Sequence, residues 1–567
     1  MAASIDSVRR SPYDVAVSRS EIDYAVRWAI LVMALTCVPY AVVWYLEPRN
    51  AVFPWILFNS DDQGVYYAWV RQAHDGHLLF RNLFTSDPQR GIYLHVYFLA
   101  LGWLARVPWL GVAGACHVGR VVFGIVTLVL VYRLGAVFTS DVFTRQCIFW
   151  TTAMSAGVGW LFWSNHITQF EPVDVWQPEA FTFPSLYTNG LFCVSMALML
   201  GIVLCLLLAE EHDPGWRWAL GAGGCGLLLG NIHTYDLIHL AAAWGSYLVV
   251  PAVVERRLPL RALGHAVVAA LVAAPAVLHM YWFFRTEPTF AARVETETLT
   301  PLLRLYLLGY GALIPLAICG AYLLFRRSFS GADGKPDLRR LLPPVWAVAG
   351  LAIAYVPVAF QRKLVMGEHI PLALLAGIAV AELCRLGTRM VGREWALRPI
   401  AGALIGMLAI SNVRYLVRDV QLALSSGVTS TGMHPVYWDA TVIHAYEWLG
   451  QHSPPDALLL TFASNGVMAP AYSGRTVYAG HWAETPYFQQ RLRESRDFYR
   501  GDSATRRALL ERHGITYVLE SPIESSLESG DALPGTLPVA PLGRELFLRL
   551  VFRDGSTSLF QVDGRSL

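Results

Sequence analysis

Asn189-Gly190-Leu191-Phe192-Cys193-Val194-Ser195-Met196-Ala197-Leu198-Met199-Leu200-Gly201-Ile202-Val203-Leu204-Cys205-Leu206-Leu207-Leu208-Ala209 runs without a charged side chain. A helix of that length crosses the hydrocarbon core of a bilayer, which takes roughly 17 to 25 predominantly apolar residues. Windows of the same character recur at about 28–46, 117–138, 147–163, 218–234, 237–254, 263–283, 302–325, 342–359, 371–386 and 399–416. Of the 567 residues, 55% are hydrophobic and 15% charged, and mean hydropathy is +0.41. A chain so apolar needs lipid as its solvent. The expected fold class is a polytopic α-helical membrane protein with about eleven transmembrane helices.

One more apolar stretch, about 92–112, holds His95, Arg106 and Pro108 and reads either as a span or as an amphipathic helix in the interface. Basic residues decide between the two, because short cytoplasmic loops accumulate Lys and Arg. With 92–112 out of the membrane, one side receives Arg9, Arg10, Arg19, Arg27, Arg145, Arg217, Arg256, Arg257 and Arg261. The same side receives Arg326, Arg327, Lys335, Arg339, Arg340, Arg385, Arg389, Arg393 and Arg398. The opposite side receives loops at about 47–116, 164–188, 231–236, 284–301 and 360–370, and everything after 417. Counting 92–112 as a span breaks the rule repeatedly. The expected plan is a cytoplasmic segment 1–27, a transmembrane body 28–416 with external loops 47–116 and 164–188, and an extracytoplasmic domain 417–567. No small-residue cleavage site follows the first apolar run, which reads as a retained helix and not a signal peptide.

After 417 the period changes. Short strands are expected at 457–462, 476–478, 515–520, 546–552 and 558–562, and helices at about 438–451, 485–499 and 503–513, the pattern of a small α/β domain. Arg553-Asp554-Gly555-Ser556 marks a hairpin between the last two strands. Formal net charge is +2, which gives no reason to expect a nucleic-acid partner. Cys37, Cys116, Cys147, Cys193, Cys205, Cys225, Cys319 and Cys384 lie scattered in apolar stretches without CxxC pairs. That excludes a disulfide framework and a thiolate zinc site.

Unusual polar residues gather in the loops assigned outside. Ser60-Asp61-Asp62-Gln63-Gly64-Val65-Tyr66-Tyr67-Ala68-Trp69 places paired carboxylates just past the first span, where one acts as a general base or holds a cation. Alternatively Asp61 or Asp62 caps a helix beginning near Val65, and the two readings are compatible. The second loop carries Glu171, Asp174 and Glu179 with Phe170 and Trp176 and no Lys or Arg, which suits sugar hydroxyls or a divalent cation. The plainer reading is a solvated loop. Asn231-Ile232-His233-Thr234-Tyr235-Asp236 puts ionisable groups between two apolar runs, either a functional site or a structural hydrogen-bonded network. Phe360-Gln361-Arg362-Lys363 breaks the cation-poor side and suits either a lipid-linked phosphate or anionic headgroups. Histidines recur in these places (His74, His77, His95, His166, His233, His369), without metalloprotease spacing, so a zinc site assembled across loops is the weaker reading.

The layout resembles the glycosyltransferases of the GT-C fold, among them protein O-mannosyltransferases, the lipid A aminoarabinose transferase and the catalytic subunit of oligosaccharyltransferase. Within that group it is most similar to bacterial membrane proteins of the family 39 kind. Asp62-Gln63-Gly64-Val65-Tyr66-Tyr67-Ala68-Trp69, Arg81-Asn82-Leu83-Phe84-Thr85, Gly367-Glu368-His369-Ile370-Pro371-Leu372 and Gly480-His481-Trp482-Ala483-Glu484-Thr485 carry the similarity. The resemblance implies transfer of a sugar from a polyprenyl-phosphate carrier to a lipid, glycan or protein acceptor on the outer face of the bacterial inner membrane. By the family's spacing to Tyr66, Asp62 would activate the acceptor, with Asp61 as the fallback. The family's second acid falls among Glu171, Asp174 and Glu179, while Arg362 and Lys363, with His369, would hold the carrier phosphate. Tyr66, Arg81, His233 and Asp236 are further cleft candidates. The lysine found before a Pro-Pro pair in many relatives is absent, and Gln89-Arg90-Gly91-Ile92-Tyr93 stands there, which leaves donor identity open.

Two other classes use similar parts. A secondary transporter would place His233 or Asp236 on a proton path, but the polar motifs cluster in loops and no two halves repeat. A surface-polysaccharide ligase or polymerase shares the lipid-linked chemistry. A degenerate, non-catalytic scaffold of the same fold is the third alternative.

Overall fold

The computed structural model describes residues 17–162, 170–294, 296–330, 336–426, 436–529 and 541–565. Arg9, Arg10, His166 and Lys335 of the sequence readings lie outside them. The chain forms two compact units, one of Met1–Val38, Val118–Tyr281 and Glu297–Val417, the other of Pro39–His117, Trp282–Thr296 and Arg418–Leu567.

Among the described residues six helices are long and apolar enough to cross a membrane: Arg19–Tyr45, Gly111–Phe138, Gly190–Glu211, Tyr235–Val254, Leu260–Thr286 and Gln361–Val391. Two bent pairs raise the number to 8 if each is one span, Leu303–Tyr310 with Leu313–Ser328 at 77° and Glu394–Leu408 with Ile410–Ser425 at 54°. Three of the expected eleven windows hold shorter helices, Val142–Met154 with 13 residues, Trp216–Ile232 with 17 and Leu342–Ile353 with 12. Hydropathy over a window does not register where backbone hydrogen bonding stops. After Met154, Ser155 turns its hydroxyl back to Thr151 O (2.5 Å), and the chain opens toward Gly157. A Cβ on Gly157 would lie 1.8 Å from Gly309 O, so this break and the one near Gly311 are places where two backbones touch.

The first unit packs around the buried helix His369–Val391, whose Ala376 and Val380 join Tyr306, Tyr310 and Leu313 in one core. Arg145, one of the basic residues assigned to the cytoplasmic side, lies buried in the helix Val142–Met154 and donates to Glu21 at 2.6 Å.

In the second unit β1 (Ala51–Val52) pairs antiparallel with β2 (Trp438–Asp439). Five further strands, β3 (Leu458–Leu460), β4 (Thr476–Val477), β5 (Tyr517–Glu520), β6 (Leu548–Asp554) and β7 (Thr557–Val562), form a mixed sheet ordered β4-β3-β5-β7-β6. They fall at the segments where short strands are expected, and Gly555 turns the β6–β7 hairpin with φ +51°. Helices Ala440–His452, Phe488–Arg500 and Ser503–His513 accompany the sheet, with Leu460, Tyr478, Phe498, Leu510 and Val518 in its core. Between Ile92 and Leu110 the chain forms the helix Val96–Leu104, about 13 Å long and too short to cross a bilayer, and the helix Gly111–Phe138 starts directly after. His95 caps it, accepting from Phe98 N at 3.4 Å.

Candidate functional site

Ser60–His74 forms the first-loop helix, starting earlier than the expected Val65. Its N-cap is Asn59, in the left-handed region (φ 54°), and neither Asp61 nor Asp62 occupies the cap. Both carboxylates lie in the first turn, where the helix dipole favours negative charge. The Asn59 amide donates to Asp62 Oδ2 at 2.5 Å. Gly64 sets the helix tight against the following part of the unit, since a Cβ there would stand 2.8 Å from Val467 O.

That packing brings His481 to Asp62. His481 Nε2 lies 3.3 Å from Asp62 Oδ1, with His481 2% exposed and Asp62 38% exposed. His481 Nδ1 accepts from Ala483 N (3.1 Å) and Glu484 N (3.2 Å), which places the ring proton on Nε2, facing the carboxylate. The separation is ion-pair distance but outside good hydrogen-bond alignment. Asp62 is thus flanked by the Asn59 amide and the His481 ring and remains partly exposed.

Three sequence-distant motifs are tied together around this pair. Asn82 donates through its amide to Glu484 O (2.7 Å), Thr485 donates to Phe84 O (2.8 Å), and Val477 N donates to Leu83 O (2.9 Å). Arg491 pairs with Asp87 at 2.6 Å. Tyr66 stacks on Phe98 with centroids 5.2 Å apart. Arg81 is exposed, its aliphatic stem lying over Gly91, while its backbone N–H donates to Gln72 Oε1 at 2.9 Å.

In the first unit the other three polar segments converge. Arg362 Nε lies 3.3 Å from Glu179 Oε1, and its guanidinium covers Trp176 at 5.7 Å. Lys363 Nζ sits over Tyr235 at 4.9 Å. His233 Nδ1 is 2.8 Å from the fully buried Asp236, which also accepts from the Ser195 hydroxyl. His369, expected beside the two cations as a phosphate ligand, is instead 1% exposed, with Nδ1 2.9 Å from Thr182 Oγ1 and Nε2 3.1 Å from Ser155 Oγ. Both ring nitrogens are committed to packing.

The second-loop acids separate by environment. Asp174 is buried and accepts from Gly159 N at 3.0 Å, fastening the break that follows Met154. Burial pushes its carboxyl up to about 6, against hydrogen bonds from Ser411 and the backbone that pull it down. Glu171 is partly buried, its carbonyl accepting from the Trp176 indole at 3.0 Å. Glu179 faces a cation of the candidate phosphate segment. Among the described residues no three His, Cys, Asp or Glu side chains gather to hold a metal ion. The sequence reading missed Asn59 as the cap and His481 as the partner of Asp62. His481 lay in a quoted motif, but no spacing links it to Asp62.

The helical architecture is the GT-C glycosyltransferase fold. The oligosaccharyltransferase of Archaeoglobus fulgidus, solved with a tethered acceptor peptide containing the NVT sequon, superposes with a TM-score of 0.51. The match covers 87% of this chain and 69% of that one at 14% identity. ArnT from Cupriavidus metallidurans, in the apo state, superposes with a TM-score of 0.50 over 95% of this chain and 98% of its own, at 12% identity. A family model described as a family of unknown function, DUF6541, matches residues 369–564. Among curated proteins none matches the chain by sequence.

Proposed function

We propose that the protein is a membrane glycosyltransferase that moves a sugar from a polyprenyl-phosphate donor to an acceptor on the extracytoplasmic face of a bacterial inner membrane. The observation that carries the reading is the partly exposed Asp62 carboxylate, flanked by Asn59 and His481 in a fold of the GT-C kind. A carboxylate so oriented takes the proton of the acceptor nucleophile as that atom bonds to the anomeric carbon. The bond from that carbon to the phosphate oxygen breaks, and the phosphate leaves with the electron pair. Arg362 and Lys363 of the first unit are the cations we assign to the carrier phosphate, with Glu179 as the second acidic position beside Arg362. His481 is the positioning residue beside Asp62, its Nε2 lying 3.3 Å from the carboxylate.

The topology we propose has eleven crossings, counting the short and the bent helices, with the loops bearing Asp62 and Glu179 and the segment 417–567 outside. The excess of Lys and Arg in the alternate loops supports it. The test is incubation of purified protein with a panel of radiolabelled polyprenyl-phosphate sugars and a membrane extract. Label passing to an acceptor with wild type and not with Asp62→Asn is the expected result. Label that reaches no acceptor from any donor overturns the reading, and uptake of free substrate into proteoliposomes would mark a transporter.

A further inference from the structure

The first-loop helix has a second polar face. At 100° per residue Arg71 stands on the side opposite Asp62 and about 13 Å further along the axis. There a cavity of about 530 Å³ opens, lined by Tyr67 and Arg71 of this helix, Glu447 and Gln451 of Ala440–His452, Tyr472, and the start of the helix Gly111–Phe138. Its volume is in the range of sites that hold small molecules.

The wall chemistry narrows the ligand. Arg71 is already neutralised by Asp75 at 2.8 Å, and its Nη1 donates to Tyr472 O at 2.7 Å. Together with the Glu447 carboxylate this disfavours a phosphate or another anion. Among the described residues Glu447 is the single carboxylate of the lining, too few oxygen ligands for a divalent cation, and polar side chains on several walls disfavour a hydrocarbon chain. Burial, with Glu447 and Glu47 nearby, holds the Tyr472 phenol above its ordinary range, so it stays a hydroxyl donor. What remains is a neutral ligand dense in hydroxyls, which a carboxylate, an amide, a guanidinium and two phenol rings can bind together.

We infer that this cavity is a saccharide-binding site separate from Asp62, one that holds part of a glycan while chemistry proceeds on the opposite face of the helix. Only its link to chemistry rests on the transferase reading. The glycan is either a free chain or the headgroup of a membrane glycolipid. Full-length protein in detergent is titrated by calorimetry with maltohexaose, mannohexaose and chitohexaose. Protein in nanodiscs with and without digalactosyl diacylglycerol supplies the membrane arm. At least one probe should bind at millimolar concentration or below, and the arm in which it binds identifies the source. Glu447→Ala combined with Gln451→Ala, both at exposed positions, should weaken binding about ten-fold, whereas Asp62→Asn should leave it unchanged. Failure of every probe to bind, or binding indifferent to the double substitution, overturns the inference. Saccharide binding in a protein that transfers no sugar would overturn the transferase reading alone.

Discussion

On the proposed reading Arg362 is shared between Glu179 and a docked carrier phosphate. Its Nε lies 3.3 Å from Glu179, with side chains 30% and 14% exposed, and its guanidinium rests over Trp176. A carrier phosphate arriving there competes with Glu179 for the cation. A charge-assisted phosphate contact contributes about 1.5 to 3 kcal/mol, so Arg362→Ala should weaken binding of a short-chain polyprenyl phosphate roughly ten-fold or more. Removing the competitor acts in the opposite direction. A partly exposed ion pair contributes about 0.2 to 1 kcal/mol, so Glu179→Gln should tighten phosphate binding by up to about five-fold. The two residues touch, so their effects should not add, and the gain from Glu179→Gln should shrink in the Arg362→Ala background. Calorimetric titration in detergent free of anionic lipid measures all four proteins. An unchanged dissociation constant in both Arg362→Ala and Lys363→Ala would leave these cations as headgroup anchors, worth about 1 kcal/mol each. Weaker binding in Glu179→Gln would refute the competition.

Asp62→Asn should lower turnover about a hundred-fold or more with little change in melting, Asp61→Asn should do far less, and His481→Gln should reduce kcat more than it raises acceptor KM. The reverse order for the two aspartates moves the base by one residue. Asp174 titrates near 6 in the fold against 3.8 ordinarily, so its contribution is full below about pH 4 and is lost as pH rises through 6. That difference corresponds to roughly 3 kcal/mol, and Asp174→Asn should flatten the fall in Tm between pH 4 and 7; an equally steep fall in the variant refutes the assignment. Gly64→Ala forces a methyl against Val467 O and should cost about 1 to 3 kcal/mol, read as a lower Tm, with turnover falling as Asp62 is displaced. In intact cells an impermeant thiol reagent should modify Phe170→Cys and Ala504→Cys, both exposed positions, and spare Ser330→Cys; labelling of Ser330→Cys reverses the topology.

Features set by neighbours along the chain were legible in the sequence. Apolar runs of span length located the six long helices, short strand-like runs alternating with helical stretches located β3 to β7, and Asp-Gly located the hairpin, because each reports on a few adjacent residues. The sequence also placed Asp61 and Asp62 at the start of a helix, although the cap itself is Asn59. Packing decided the rest. Helix continuity ends at Ser155 and at Gly311 because two backbones meet there, which no hydropathy window records. Glu171, Asp174 and Glu179 are equivalent as letters in one loop. Burial made Asp174 a backbone fastener, while Arg362 drew Glu179 into an ion pair. His369 and His481 both sit in quoted motifs, yet one is consumed by Ser155 and Thr182 and the other faces Asp62 from across most of the chain. The partner of a side chain so distant in sequence is selected by the close approach at Gly64, and that approach exists only once the unit has folded.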